Sequence, residues 1–304
     1  MVKKFPPRKK EAMTGSQFIR LLTERGIKAY GPEYEKLVLE QIKAGNVPDF
    51  MRPENWREVT IKGKLEGGAE AEITIRVCPD YIAIGSNEDY VRVPLSAVAL
   101  QRLAARLDAA LPTKKVVDEI DKVAAQENSR FGLVTDSEVA RKRGVKIDRK
   151  TSVHMIDPEF VAWQSEIADE KIAERKLPRS GRMGYTIVSG HKKDVIVYDS
   201  PRPTRLVQYR PPEQGLDTGA HPNTHTDYSL GGRLVDQQVR VKMPDMNIEM
   251  TTRYEDIIKH GTYYRLLSDQ CFDISKCYTI SRQTVPKKKT EEAPPQPKKV
   301  RLTR

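Results

Sequence analysis

The fold class that this sequence predicts is mixed α/β or α+β. It has a helical N-terminal unit carrying a small antiparallel sheet, followed by a strand- and loop-rich C-terminal unit. Three observations lead there. Apolar residues recur at helical spacing between Phe18 and Ile42. The period falls to two between Val59 and Val77. Beyond Tyr185, short apolar runs alternate with turns rich in Pro, Gly, Asp and His.

Taken in order, Thr14-Gly15-Ser16-Gln17 has the form of a capping box, in which hydroxyl and amide side chains satisfy the first orphan amides of a helix. Phe18, Leu21 and Leu22 give that helix its apolar face, and Gly26 supplies a stop. A second helix is predicted from Pro32 to Ala44, with Tyr34, Leu37, Val38 and Ile42 inward. Val59 and Ile61, the turn Gly67-Gly68, and Ile73, Ile75 and Val77 read as a hairpin. Tyr81 to Ile84 and Val91 to Val93 read as two further strands. A helix from Ser96 to Ala110 follows, and Thr113 can cap another through Ile120 and Val123.

The polar, basic stretch 126–151 is predicted to be a linker between a domain at 14–125 and a domain at 152–285. Asp157-Pro158 marks a helix start, with a carboxylate at the cap and proline at the first helical position. Phe160, Trp163 and Ile167 share a face of that helix. Strands are predicted at Tyr185–Ser189, Val195–Tyr198, Leu206–Tyr209 and Val239–Met243, with a short helix near Tyr254–Lys259. A loop from Arg210 to Gly232 separates two of these strands; loops of that length inside a compact domain often carry function.

The chain has 304 residues, enough for about two domains of ordinary size. With 38% hydrophobic and 31% charged residues it lies in the soluble range, and no apolar run approaches the roughly 18 residues that a membrane span needs. The basic start lacks the apolar stretch of a secretory signal. Cys78, Cys271 and Cys277 make an odd, sparse set, the pattern of idle thiols in a reducing compartment, so a cytoplasmic location is expected. The net charge of +11 is unevenly placed: residues 1–13 carry +4 and residues 286–304 carry +5, leaving +2 for residues 14–285. Both terminal segments are Lys- and Pro-rich with little to bury and are expected to be disordered tails.

Candidate chemistry gathers in the C-terminal half. His191 opens Gly190-His191-Lys192-Lys193-Asp194, and His221 and His225 lie in the loop that ends Asp227-Tyr228-Ser229. Imidazole is the side chain that titrates near neutrality, so this concentration suggests acid–base chemistry. In a hydrolase-like arrangement His191 or His221 would be the base and Asp227 would orient it. Ser229 or a water would attack, and Lys193 or Lys192 would steady an oxyanion. Asn, Asp, Ser, Pro and Gly are equally the residues of turns, so the same string can be a solvated loop and nothing more. His221, His225 and Asp227 are a ligand type used for zinc or iron, but Pro222 removes the helix that would align them, and no metal or cofactor is predicted. His191-x-Lys193 followed by Asp199 is similar to the phospholipase-D-type histidine–lysine–aspartate set, with the aspartate one residue late and no second copy.

Several blocks resemble a bacterial protein family that carries no established activity. They are Pro79 to Ser86, Val91 to Leu95, Leu111 to Asp118, Gly190 to Val195, and His221-x-Asn223-Thr224-x-x-Asp227-Tyr228-Ser229-x-Gly231. The resemblance spans roughly residues 14 to 270. It implies shared architecture, with His221 and Asp227 inside the pattern and His225 outside it. Leu230 stands where the resemblance implies a second histidine.

A second reading is non-enzymatic. A structural or assembly protein would attach to nucleic acid or another polyanion through Lys287, Lys288, Lys289, Lys298, Lys299 and Arg301. No aromatic residue interleaves the C-terminal lysines, so base stacking is not expected. Oligomerisation is compatible with this reading, and no membrane partner is expected.

Overall fold

A computed structural model describes residues 2–65, 68–146, 155–178, 185–196, 208–211, 214–217 (backbone only), 221–259 and 263–268. The chain is mixed α/β, with helices concentrated in its N-terminal half and sheets that are antiparallel apart from one parallel pair, at Lys193–Asp194 and Leu230–Gly231. Helices α1 (Gly15–Glu24) and α2 (Pro32–Lys43) come first. The capping box is formed at α1: Gln17 N–H donates to Thr14 Oγ1, and Thr14 N–H donates to the Gln17 side chain.

Strands β1 (Arg57–Lys64) and β2 (Glu70–Val77) make the hairpin that alternation foretells, pairing Val59 with Ile75 and Ile61 with Ile73. Strands β3 (Ala83–Gly85) and β4 (Tyr90–Arg92) form a second hairpin. Then come α3 (Ala97–Leu107), β5 (Ala109–Ala110) and α4 (Lys114–Gln126); Ser96 and Thr113 cap the two helices with their hydroxyls.

The segment expected to be a linker contains α5 (Asp136–Arg143), which lies on α6 (Pro158–Glu174). Val139 is buried there, and Lys142–Glu170, Arg143–Glu166 and Lys171–Glu138 ion pairs of 2.6, 2.7 and 2.8 Å tie the two helices. Two of the cations that point to a solvated linker, Lys142 and Arg143, instead pair across to the acidic residues of α6. The Asp157 carboxylate, expected to cap α6, instead receives Lys28 Nζ at 2.6 Å.

The remaining elements are β6 (Lys193–Val195), β7 (Gln208–Arg210), β8 (Gln214–Asp217), β9 (Leu230–Gly231), β10 (Val235–Met243), β11 (Ile248–Arg253), α7 (Tyr254–Lys259) and α8 (Tyr264–Leu267). Residues 185–189, expected as a strand, make only a bridge from Ser189 to Arg130. Strand β11 exposes three of its six residues and fully buries none, which is why no alternation announces it.

The largest sheet runs β1-β2-β10-β11, with β5 also on β10. Strand β10 comes from the C-terminal half and pairs antiparallel with β2 from the N-terminal half. One face of this sheet buries Val59, Ile61, Ile73, Ile75, Val239 and Val241 against α4, α7 and α8. A second core, under α1 to α3, takes Val195, Leu230 and Leu234 from the C-terminal half. Both cores therefore draw on both halves, and the expected boundary at 126–151 divides neither.

The first 13 residues depart from expectation too. Val2 and Phe5 are buried in the core under α1 to α3, and Lys3 N–H donates to Leu107 O at 2.7 Å. Arg8 donates to Asn46 Oδ1 and to the carbonyl of Ala12. Two apolar side chains among the lysines suffice to dock a segment that composition alone marks as disordered. Residues 286–304, Cys271, Cys277 and Asp199 lie outside the described residues. Among the described residues no helix is long and apolar enough to cross a membrane.

Candidate functional site

Segments far apart in the sequence converge on a buried polar cluster. Asp80 follows β2, Arg92 ends β4, His191 and Lys192 precede β6, and Arg233 precedes β10. Two glycines permit the approach. Gly190 has φ of +88°, and a Cβ there would meet the Phe131 carbonyl oxygen at 2.1 Å. A Cβ on Gly231 would lie 2.4 Å from the Tyr81 ring.

At one side of the cluster Arg92 grips Asp80 in a fork, Nε to Oδ1 at 3.1 Å and Nη2 to Oδ2 at 2.7 Å, with both side chains fully buried. The same guanidinium reaches Asp169 Oδ1 at 2.8 Å and the Ser165 carbonyl at 3.2 Å. At the other side Arg233 donates to Asp194 Oδ1 (3.3 Å) and to the carbonyls of Cys78 (2.8 Å) and Val188 (2.6 Å), and lies over the Tyr81 ring. Tyr81 donates its hydroxyl to Asp194 Oδ2 at 3.0 Å. Burying these charges without partners would cost several kcal/mol per ion, and the forks and carbonyls offset that cost.

His191 is 1% exposed and packs edge-on against Tyr81 and Phe131. Its Nε2 lies 3.3 Å from Asp80 Oδ1, and neither ring nitrogen has an aligned hydrogen bond. Burial pulls its pKa down to about 4 against the opposing pull of Asp80, so the ring is neutral at neutral pH. Lys192, 3% exposed, donates to Gln164 Oε1 and to the Tyr228 carbonyl (2.7 Å). Burial, aided by Arg92, pulls its pKa down to about 7.

Residues 221–229 form a different cluster. Asp227 Oδ1 accepts from both Ser229 N–H (2.7 Å) and Ser229 Oγ (2.6 Å), an Asx turn that carries the chain toward β9. His225 Nε2 stands 3.5 Å from Asp227 Oδ2, and the rings of His221 and His225 stack 4.0 Å apart at 12°. Lys193 meets this loop through its backbone, N–H to Ser229 O at 2.7 Å.

The structure thus joins Ser229 to Asp227 and His221 to His225. No ring contact links His191 to His221, and no imidazole hydrogen-bonds Ser229 among the described residues. A nucleophile–base pair requires that bond. Nor do the described residues arrange three His, Cys, Asp or Glu side chains around a metal position. Sequence reasoning passes over Asp80, Arg92, Asp194 and Arg233. The legible signal is a charge inside an apolar string, as in Val91-Arg92-Val93, since such a charge must find a buried partner.

Among the described residues, three concavities stand out on the surface. Two adjoin, of about 600 and 610 Å³, sharing Glu88, Tyr90, Asp169 and Ala173. The third, of about 270 Å³, has Phe5, Leu39, Ile42, Leu103 and Leu107 as its floor and Lys3, Lys4, Lys43, Arg102 and Arg106 around it, with no carboxylate in its lining. None of the three is lined by His191, Lys192 or Ser229. Compared with known proteins, the chain matches no family model, no curated protein and no solved structure.

Proposed function

We propose that this chain works by attachment, holding a polyanion such as nucleic acid through fixed and tethered cations, and does not turn over a substrate. The observation that carries the reading is the cationic concavity at the N-terminal segment. Phe5 and Val2 anchor Lys3 and Lys4, which places them beside Lys43 from α2 and Arg102 and Arg106 from α3. Anchoring matters because a pre-placed cation loses less conformational freedom on binding than one on a free chain. Residues 286–304 add a formal +5. Lysines contact phosphates without reading base edges, so the attachment is insensitive to sequence.

The test is duplex binding across a series of salt concentrations. Each phosphate contact contributes about −0.9 to the slope of log affinity against log salt. Replacing Lys4 and Lys43 by Gln in the full chain is expected to weaken binding and flatten the slope by about 1.8. An unchanged slope, or no binding by the wild type at low salt, would sink the reading.

The hydrolase-like reading draws on the Ser229–Asp227 bond with His225 beside it. It has less support, because His191, Lys192 and Ser229 are each at most 3% exposed. Turnover of ester or amide substrates by the wild type, lost in His221→Ala, would restore it.

A further inference from the structure

The adjoining pair of concavities has a character opposite to the cationic one. Phe50, Tyr90 and Tyr185 line its floor, with the Phe50 ring 5.3 Å from Tyr90 and 6.2 Å from Tyr185, both edge-on. Its rim carries Glu88, Asp89, Glu166, Asp169 and Glu170; Arg143 lines it and holds Glu166 and Glu170 at 2.7 and 3.3 Å. Lys142 and Arg92, outside the lining, hold Glu170 and Asp169 at 2.6 and 2.8 Å, which leaves Glu88 and Asp89 without an ion pair to these three cations. Partial burial above all, with the neighbouring Glu170, Asp169 and Asp89, raises the Glu166 pKa despite Arg143, whereas Lys142 and Arg143 hold that of Glu170 down.

An aromatic floor under an acidic rim suits one kind of occupant. Proline strings enter aromatic-lined grooves in the polyproline II form, which costs them little entropy, and ammonium groups favour both carboxylates and ring faces. This chain contains such a string in Pro294-Pro295-Gln296-Pro297-Lys298-Lys299, whose prolines at 294 and 297 have the Pro-x-x-Pro spacing and are followed at once by two lysines.

We infer that residues 294–299 dock in the Tyr90–Glu166 groove of their own chain. Reach is sufficient: the 25 residues between Ser268 and Pro294 can span up to about 85 Å, more than the roughly 50 Å width of a body this size. Prolines 294 and 297 lie on the aromatic floor, and Lys298 and Lys299 meet Glu88, Glu166 or Glu170. Docking withholds these lysines from a polyanion, so groove and polyanion compete for one segment. That competition rests on the proposed function; the docking does not.

Zero-length carbodiimide crosslinking of the full chain, mapped by mass spectrometry on the monomer band, reads the docking directly. Amide links from Lys298 or Lys299 to Glu88, Glu166 or Glu170 are expected, and they should be largely lost in about 1 M salt, where screening shortens to about 3 Å. Pro294→Ala with Pro297→Ala, which retains both lysines, should lower their yield; an unchanged yield would overturn the proline-directed docking. Links scattered over other carboxylates, or confined to a dimer band, would overturn docking in the same chain. Glu166→Gln with Glu170→Gln should tighten duplex binding about threefold or more by freeing the segment. An unfolding midpoint for that variant guards against loss of fold. Crosslinks without duplex binding by any variant would remove the polyanion reading and leave the docking. Duplex binding without groove crosslinks would do the reverse.

Discussion

The buried cluster around His191 and the loop around His221 use the same residue types and are treated by the fold in opposite ways. In the first, His191, Lys192, Asp80 and Arg92 are sealed, and every charge answers to a partner or a carbonyl. In the second, His225 and Asp227 are each about 30% exposed and the histidines stack on one another at the surface. A string of His, Lys and Asp is therefore no measure of chemistry by itself. Whether water reaches it decides whether those groups titrate and react or hold strands together. Here the sealed cluster joins segments from both halves of the chain, and the open one closes a turn.

The contrast breaks most sharply at the Asp80–Arg92 fork. Asp80→Asn or Arg92→Met strands a buried charge, and the expected loss is about 3–5 kcal/mol, read as a fall in the urea midpoint at unchanged m-value. Because the two residues share one interaction, the double variant should lose less than the sum of the singles. Additive losses would mean that the fork does not act as a unit.

Lys192 and His191 sharpen the same contrast through pH. Folded Lys192 keeps its proton only below about 7, whereas the unfolded chain keeps it to about 10.4. Between those limits the unfolded state binds more protons, so stability should rise with pH, by about 1.4 kcal/mol at most for each step of one in pH. Below 7 both states are protonated and this contribution to the slope vanishes. His191 gives the same sign in a lower window, between about 4 and 6.5. Asp194, whose pKa burial raises, works against the rise at acid pH. Urea unfolding from pH 4 to 10 should show Lys192→Met flattening only the upper window. Equal slopes in variant and wild type would mean that Lys192 is hydrated.

The local fold is largely legible in the sequence. The cap at Thr14, the β1–β2 alternation and the Thr113 start all rest on contacts within a few residues, and propensity and period report these well. What is not legible is long-range. Nothing near Val235 says that β10 will pair with β2, more than 150 residues earlier, so the halves read as separate domains. The N-terminal segment misleads because charge dominates its composition while Val2 and Phe5 supply its docking. For the candidate site, the blocks around His191 and His221 stand out in the sequence. Their inward and outward fates do not, because these depend on the Phe131, Tyr81 and Gln164 contacts.

Phe5 offers a smaller effect that connects packing to the proposed attachment. Phe5→Ala should release the first few residues locally, at a cost of about 1–2 kcal/mol to the whole chain. Amide exchange at Lys3, whose N–H is held by Leu107 O, should accelerate well before global unfolding. Lys3 and Lys4 would then no longer be pre-placed, and duplex binding at low salt should weaken without any change in net charge. Faster exchange with unaltered binding would separate anchoring from attachment.

The smallest effect belongs to the exposed pair. His221→Ala and His225→Ala each remove a ring that touches its twin at the surface, so each should change stability by about 0.5 kcal/mol or less. The Asp227–Ser229 turn bonds through Asp227 Oδ1, whereas His225 faces Oδ2 at 3.5 Å, so the turn should persist, which backbone amide exchange at Ser229 can report. The comparison of the two clusters turns on this result. A loss above about 2 kcal/mol would make the loop a structural element like the His191 cluster. A near-zero loss of stability together with a lost activity would make His221 a chemical residue and favour the hydrolase-like reading over attachment. A near-zero loss with duplex binding retained is what attachment through the cationic concavity requires, because neither histidine lines it.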